Sequence, residues 1–170
     1  MKKILIIISI IILVLVVKKE IEKITIPDSA IRIRVIANSN NLEDQMLKFK
    51  IKEKVTNKLY ENMKPESTLE EARNNIKNNL NNIDYIVKTT LNNNNYTINY
   101  GTNYFPKKEL YGINYNEGNY ESLVINIGES KGNNWWCVLF PPLCMIEGEY
   151  KDTNNVEYKS KVLEILNSFK

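Results

Sequence analysis

The 170-residue sequence contains no histidine. That absence removes Ser-His-Asp and Cys-His catalytic arrangements and every His-ligated metal site. Cysteine is nearly absent as well. Cys137 and Cys144 are the only two, too few for a structural zinc site. Excess charge is missing from most of the chain. Of 23 basic and 20 acidic residues, five Lys and two Glu lie within residues 1–27, which leaves eighteen of each sign beyond them. A nucleic-acid binder carries a basic face or a clear positive excess, so that class is set aside. Internal repeats are lacking. So is a phosphate loop: in Gly128-Glu129-Ser130-Lys131-Gly132 the lysine precedes the second glycine and a strand-like run follows, whereas G-x-x-x-x-G-K-[ST] must open a helix. Ser130 and Cys137 have no histidine base, and Lys131, adjacent to Ser130, points away from it. Asp28, Asp44, Asp84 and Asp152 sit in no catalytic motif. The reading is a non-enzyme with no metal and no cofactor.

What is present begins with an apolar run. Met1–Lys3 is basic, Ile4–Val17 is interrupted only by Ser9, and Lys18, Lys19, Glu20, Glu22 and Lys23 end it. As a helix, those fourteen residues rise about 21 Å, short of a ~30 Å hydrocarbon core. That length matches the apolar region of an export signal. No small-x-small cleavage site and no lipobox cysteine follow, so residues 1–23 read as an uncleaved or slowly cleaved signal or signal-anchor helix. It would hold the chain to a membrane while the flanking lysines reach the interface.

Residues 24–30 read as a linker and 31–170 as one domain. Ile31, Ile33 and Val35 alternate with Arg32 and Arg34, the pattern of a half-buried strand. Asn38–Asn41 stop it and offer helix caps. Leu47, Ile51, Val55, Leu59 and Met63 recur at four, with Met46 and Phe49 widening the stripe, which predicts a helix over Leu42–Met63. Lys48, Lys50, Lys52, Lys54 and Lys58 form its solvated side. After the Lys64-Pro65-Glu66 turn, Ser67 with Glu70 or Thr68 with Glu71 makes a capping box for a second helix carrying Leu69, Ala72, Ile76, Leu80, Ile83 and Val87. Alternation then predicts strands at Tyr96–Tyr100, Tyr111–Tyr115 and Tyr120–Ile127. Trp135–Phe140, wholly apolar, suits a central strand that Pro141-Pro142 ends. A last amphipathic helix spans about Val156 to Phe169. The fold class is α+β: a mixed sheet with two long helices on one face and a C-terminal helix.

Two pairs of residues stand out. Cys137 and Cys144 flank the Pro-Pro reversal and are disulfide candidates in an exported domain; buried free thiols are the alternative. Trp135 and Trp136 are neighbours on a strand and must face opposite sides. One suits the core, and the other a helix layer, a partner or water.

The segment Ile33-Arg34-Val35-Ile36-Ala37-Asn38-Ser39, followed by Glu43-Asp44-Gln45 and a Lys-rich helix, resembles the opening of the stage II sporulation protein R family. So do Tyr111-Gly112 and Gly118-Asn119-Tyr120-Glu121-Ser122-Leu123. The longest match runs from Ile127 through Gly128-Glu129-Ser130-Lys131-Gly132-Asn133-Asn134-Trp135-Trp136-Cys137 to Cys144. The resemblance implies a protein made in the forespore and exported into the space between the forespore and mother-cell membranes. There it would activate a membrane-embedded aspartic protease that trims an inactive early mother-cell sigma factor. The candidate partner contacts are Gly128, Lys131, Gly132, Asn133, Asn134, Trp135 and Trp136, together with Arg34 and Asn38. The rival reading is a secreted cell-wall glycan-binding module or hydrolase that stacks Tyr and Trp on sugars.

Overall fold

The computed structural model describes residues 24–61, 63, 67–92, 95–110, 113–144 and 155–168. The signal helix expected over residues 1–23, the 64–66 turn and Tyr111-Gly112 lie outside the described residues. The strands are β1 (Ile24–Thr25), β2 (Ile31–Ile36), β3 (Tyr96–Phe105), β4 (Lys108–Leu110), β5 (Ile113–Tyr115), β6 (Gly118–Ile127) and β7 (Asn134–Phe140). The helices are α1 (Leu42–Tyr60), α2 (Leu69–Thr90) and α3 (Asn155–Ser168). The fold is α+β with mixed sheets and three helices.

A four-stranded sheet has the order β3-β6-β2-β7. β2 runs parallel to β6 and antiparallel to β7, and β3 runs antiparallel to β6. Side chains on a strand alternate between faces, so β2 sends Ile31, Ile33 and Val35 to one side and Arg32 and Arg34 to the other. The first side is the main core. There β2 meets Leu123, Ile125 and Ile127 of β6, Trp135, Cys137 and Leu139 of β7, and the apolar stripes of α1 and α2. Thr68 caps α2 through the capping box with Glu71, and Asn41 caps α1 by accepting from the Asp44 amide.

The opposite face is covered too. A three-stranded sheet of order β1-β5-β4 lies in a second apolar cluster. In it Ile24, Ile26, Ala30, Ile113 and Tyr115 meet Val138 and Leu143, and Val162 of α3 joins them. Residues 24–30 therefore carry a strand and three buried side chains where composition reads as a linker. Pro27 and the polar residues beside it hid the alternation. Two further boundaries differ. α1 ends at Tyr60, with Glu61 as its C-cap, short of Met63. β3 continues ten residues to Phe105 because it pairs along the whole ten-residue length of β6.

Within α1, Met46 and Phe49 do not widen the core stripe. At about 100° per residue, Phe49 lies nearly opposite Ile51. Met46 and Phe49 share a second, outward stripe with Leu42, and the three are 63%, 49% and 77% exposed. Lys48 is also not solvated: it is 3% exposed.

Cys137 and Cys144 are joined by a disulfide, with Cα atoms 5.6 Å apart. The bridge ties the middle of β7 to the residues after the Pro-Pro reversal. Closing so short a loop contributes about 2.5 kcal/mol in the chain-entropy treatment. Reduction is expected to lower the unfolding free energy by about that amount, measured by urea denaturation with and without reductant. Intact-mass analysis after thiol labelling of the unreduced protein should show no label on either cysteine.

Candidate interaction surface

Parallel strands end on the same side of a sheet, so the C-termini of β2 and β6 emerge together, and β7, antiparallel to β2, begins there. Three segments consequently converge at one rim: residues 37–41, residues 128–134 and the first turn of α1. Asn38 is the pivot. Its Oδ1 accepts from the Glu129 amide at 2.9 Å, and its carbonyl accepts from the Lys131 amide at 3.0 Å. Its Nδ2 donates to Asp44 Oδ2 at 2.9 Å. Asn40 Oδ1 accepts from the Asn133 amide at 2.6 Å, and the Ala37 carbonyl accepts from the Gly132 amide at 2.9 Å. Ser39 Oγ donates to Asp44 at 2.6 Å. These donors hold the Asp44 carboxyl below its usual range, the Ser39 hydroxyl contributing most.

Two glycines permit this closeness. Gly128 has a positive φ of 55° and sits against the Asn38 side chain. At Gly132 a Cβ would overlap the backbone carbonyl of Ser39. Beneath the loop, the buried Lys48 amine donates to Gln45 Oε1 at 2.6 Å and to the Asn133 carbonyl at 3.1 Å. Burial depresses its pKa. The 128–134 loop is thus clamped to β2 and to α1 by neutral amides and one lysine. The exposed Lys131–Glu129 ion pair at 2.7 Å adds little in water.

The structure brings Asn38, Gly128, Lys131, Gly132, Asn133 and Asn134 to this rim, and the Leu42–Met46–Phe49 stripe of α1 begins beside it. It separates the other expected contacts. Trp135 is a core residue, 9% exposed, with the Lys52 ammonium 4.9 Å from its ring centroid. Arg34 and Trp136 are cross-strand partners on the face turned away from α1 and α2, and both are half-buried. Sequence reasoning missed the outward α1 stripe and the role of Lys48. The signal was available in the second apolar repeat at positions 42, 46 and 49.

The family model of stage II sporulation protein R matches residues 27–150. The chain belongs to the stage II sporulation protein R family. The match includes both converging loops and the disulfide. The chain is also similar to the stage II sporulation protein R of Bacillus subtilis (strain 168), 40% identical over 135 residues, which cover 76% of this chain and 60% of that relative. No solved structure matches. The family's name states a sporulation role.

Gly132→Ala is expected to destabilise the protein by about 1–3 kcal/mol through overpacking, because the obstacle is backbone and cannot swing aside. Gly101→Ala, whose Cβ would meet only Asn99 Oδ1 at 3.7 Å, is the control and should shift stability by no more than about 0.5 kcal/mol. Urea midpoints of the two variants check the difference.

Proposed function

We propose that this protein is an exported signalling ligand of sporulation. It acts in the space between the forespore and mother-cell membranes, held there by its N-terminal segment. Its receptor is a membrane-embedded aspartic protease, which it activates to trim the inactive early mother-cell sigma factor. The observation that carries the reading is the rim surface: an ordered polar loop pair continuous with an exposed apolar stripe on α1. Loops on a rigid scaffold are the usual place for recognition, and exposed apolar groups beside polar ones suit a protein interface better than open water. Family membership supports the sporulation role. The disulfide supports an oxidising, exported compartment.

The experiment is co-expression of the full chain with the protease and its sigma-factor precursor. Trimming is expected only when the chain is present. Met46→Ser combined with Phe49→Ser should leave folding nearly intact, since both side chains project from the surface. If the pair anchors the contact, the loss is at least ~2 kcal/mol of binding, roughly thirtyfold in affinity, and trimming at limiting protein falls accordingly. Precursor trimmed equally without the chain would sink the activator reading. Unchanged trimming by the double variant would move the contact away from α1.

A further inference from the structure

Three of the sheet edges among the described residues are protected against pairing with another chain. β1 is two residues long, and β4 is three residues long and carries Lys108 and Glu109. β7 is seven residues long. Its ladder with β2 shifts register between Ile31 and Arg32, and Pro141-Pro142 follow it. Short strands, charges, prolines and irregular registers are the means by which folded proteins keep an edge from recruiting another strand.

β3 has none of them. It is ten residues long, and it pairs with β6 from Tyr96↔Ile127 to Phe105↔Gly118 without a shift in register. On its other side no described strand pairs with it. Residues 92–105 contain no charged residue and no proline. Tyr, Thr, Ile and Phe, all favoured in strands, fill seven of its ten positions.

The ladder also fixes which backbone groups face outward. The Gly128 amide donates to the Asn95 carbonyl at 2.8 Å. Directly opposed residues of an antiparallel ladder alternate between bonded and unbonded pairs. Thr97, Asn99, Gly101 and Asn103 therefore bond to β6, while Tyr96, Ile98, Tyr100, Thr102 and Tyr104 turn their N–H and C=O to the open edge. The side chains of Tyr96, Ile98 and Tyr100 pack against the main core. Thr102 is exposed, and Tyr104 is 55% exposed.

We propose that the β3 edge is a homodimer interface. β3 of a second copy adds antiparallel about a two-fold axis at Tyr100 and joins the two four-stranded sheets into one. In that register Tyr96 faces Tyr104 of the second copy, Ile98 faces Thr102, and Tyr100 faces its own counterpart. These are the outward-bonding residues, so the open N–H and C=O groups from 96 to 104 find partners. The opposed residues share a face of the strand, so the helices of both copies fall on the same side of the joined sheet. Aromatic and β-branched cross-strand pairs stabilise such a ladder, and the exposed Tyr104 gains a ring beside it. Charge selects a second copy as the occupant. A strand without charge meets no like charge in itself, and it offers nothing that would select an acidic or a basic partner strand. The result is a closed, self-complementary two-fold contact, the commonest kind of oligomer interface. The proposal is independent of the rim surface and of the signalling reading.

The test co-expresses two differently tagged full chains with a photo-reactive amino acid at Thr97. That position is exposed and lies opposite Asn103 of the second copy in the proposed register. The expected result is a covalent adduct joining the two tags, attached close to Asn103. Thr102→Pro removes an N–H that points to the open edge, so it spares the ladder with β6. By symmetry it removes two hydrogen bonds from the dimer, and adduct yield should fall about tenfold. Thr102→Lys places a charge on the edge at an exposed position and should lower the yield severalfold. It keeps the test decisive if the proline variant folds poorly. No adduct between the tags overturns the proposal. So does an adduct unchanged by both substitutions, or an adduct to a different protein with none between the tags.

Discussion

Parallel pairing of β2 with β6 is the constraint from which the rest follows. Parallel neighbours cannot be joined by a tight hairpin and need a long crossover. Here α1, α2 and β3 lie within that crossover, and both helices pack on one face of the sheet. The same pairing delivers the ends of β2 and β6 to one rim, five residues in register from Arg32↔Ser122 to Ile36↔Asn126. Only because those ends are adjacent can Asn38 and Asn40 bind the amides of the 128–134 loop. The loop in turn fixes the start of β7, whose antiparallel ladder with β2 completes the sheet.

Alternation on β2 then divides the molecule into two environments. Ile33 and Val35 feed an aliphatic core. Arg32 and Arg34, one residue out of phase, are forced into a second interior among Phe105, Tyr120 and Trp136. A strand with arginine on one face reads as solvent-facing on that side. The small sheet of β1, β4 and β5 removes much of the solvent. Cation–aromatic stacking compensates the guanidinium charge in part, and it leaves their in-plane donors as the most polar unsatisfied groups among the described residues.

Much of the architecture was legible in the sequence because single periodicities dominate. The three- and four-residue spacing of α2 and the alternation on β2 and β6 each point to one answer. The apolar run of β7 marked a strand but misplaced it: β7 lies at the edge of the sheet and not at its centre, and it is apolar because both of its faces are covered. The opposed faces of Trp135 and Trp136 followed from strand geometry alone. What was hidden depended on partners distant in sequence. Ile24 and Thr25 become a strand only beside Ile113 and Asn114. Lys108–Leu110 is too short to show a pattern. Lys48 looks like any surface lysine until the Asn133 carbonyl arrives above it. At the rim, the unusual Gly128–Asn134 stretch was visible, but its clamping by Asn38 and Asn40 was not, since asparagine suits a plain turn equally well.

The account's central claim is that the rim and the outward stripe of α1 form one surface that meets the sporulation protease. The most direct measurement places a photo-reactive amino acid at Met46 and, separately, at Tyr85, which is 68% exposed on α2, in chains co-expressed with the protease. The account predicts a covalent adduct with the protease from position 46 and none from position 85. An adduct from position 85 with none from position 46 would contradict it.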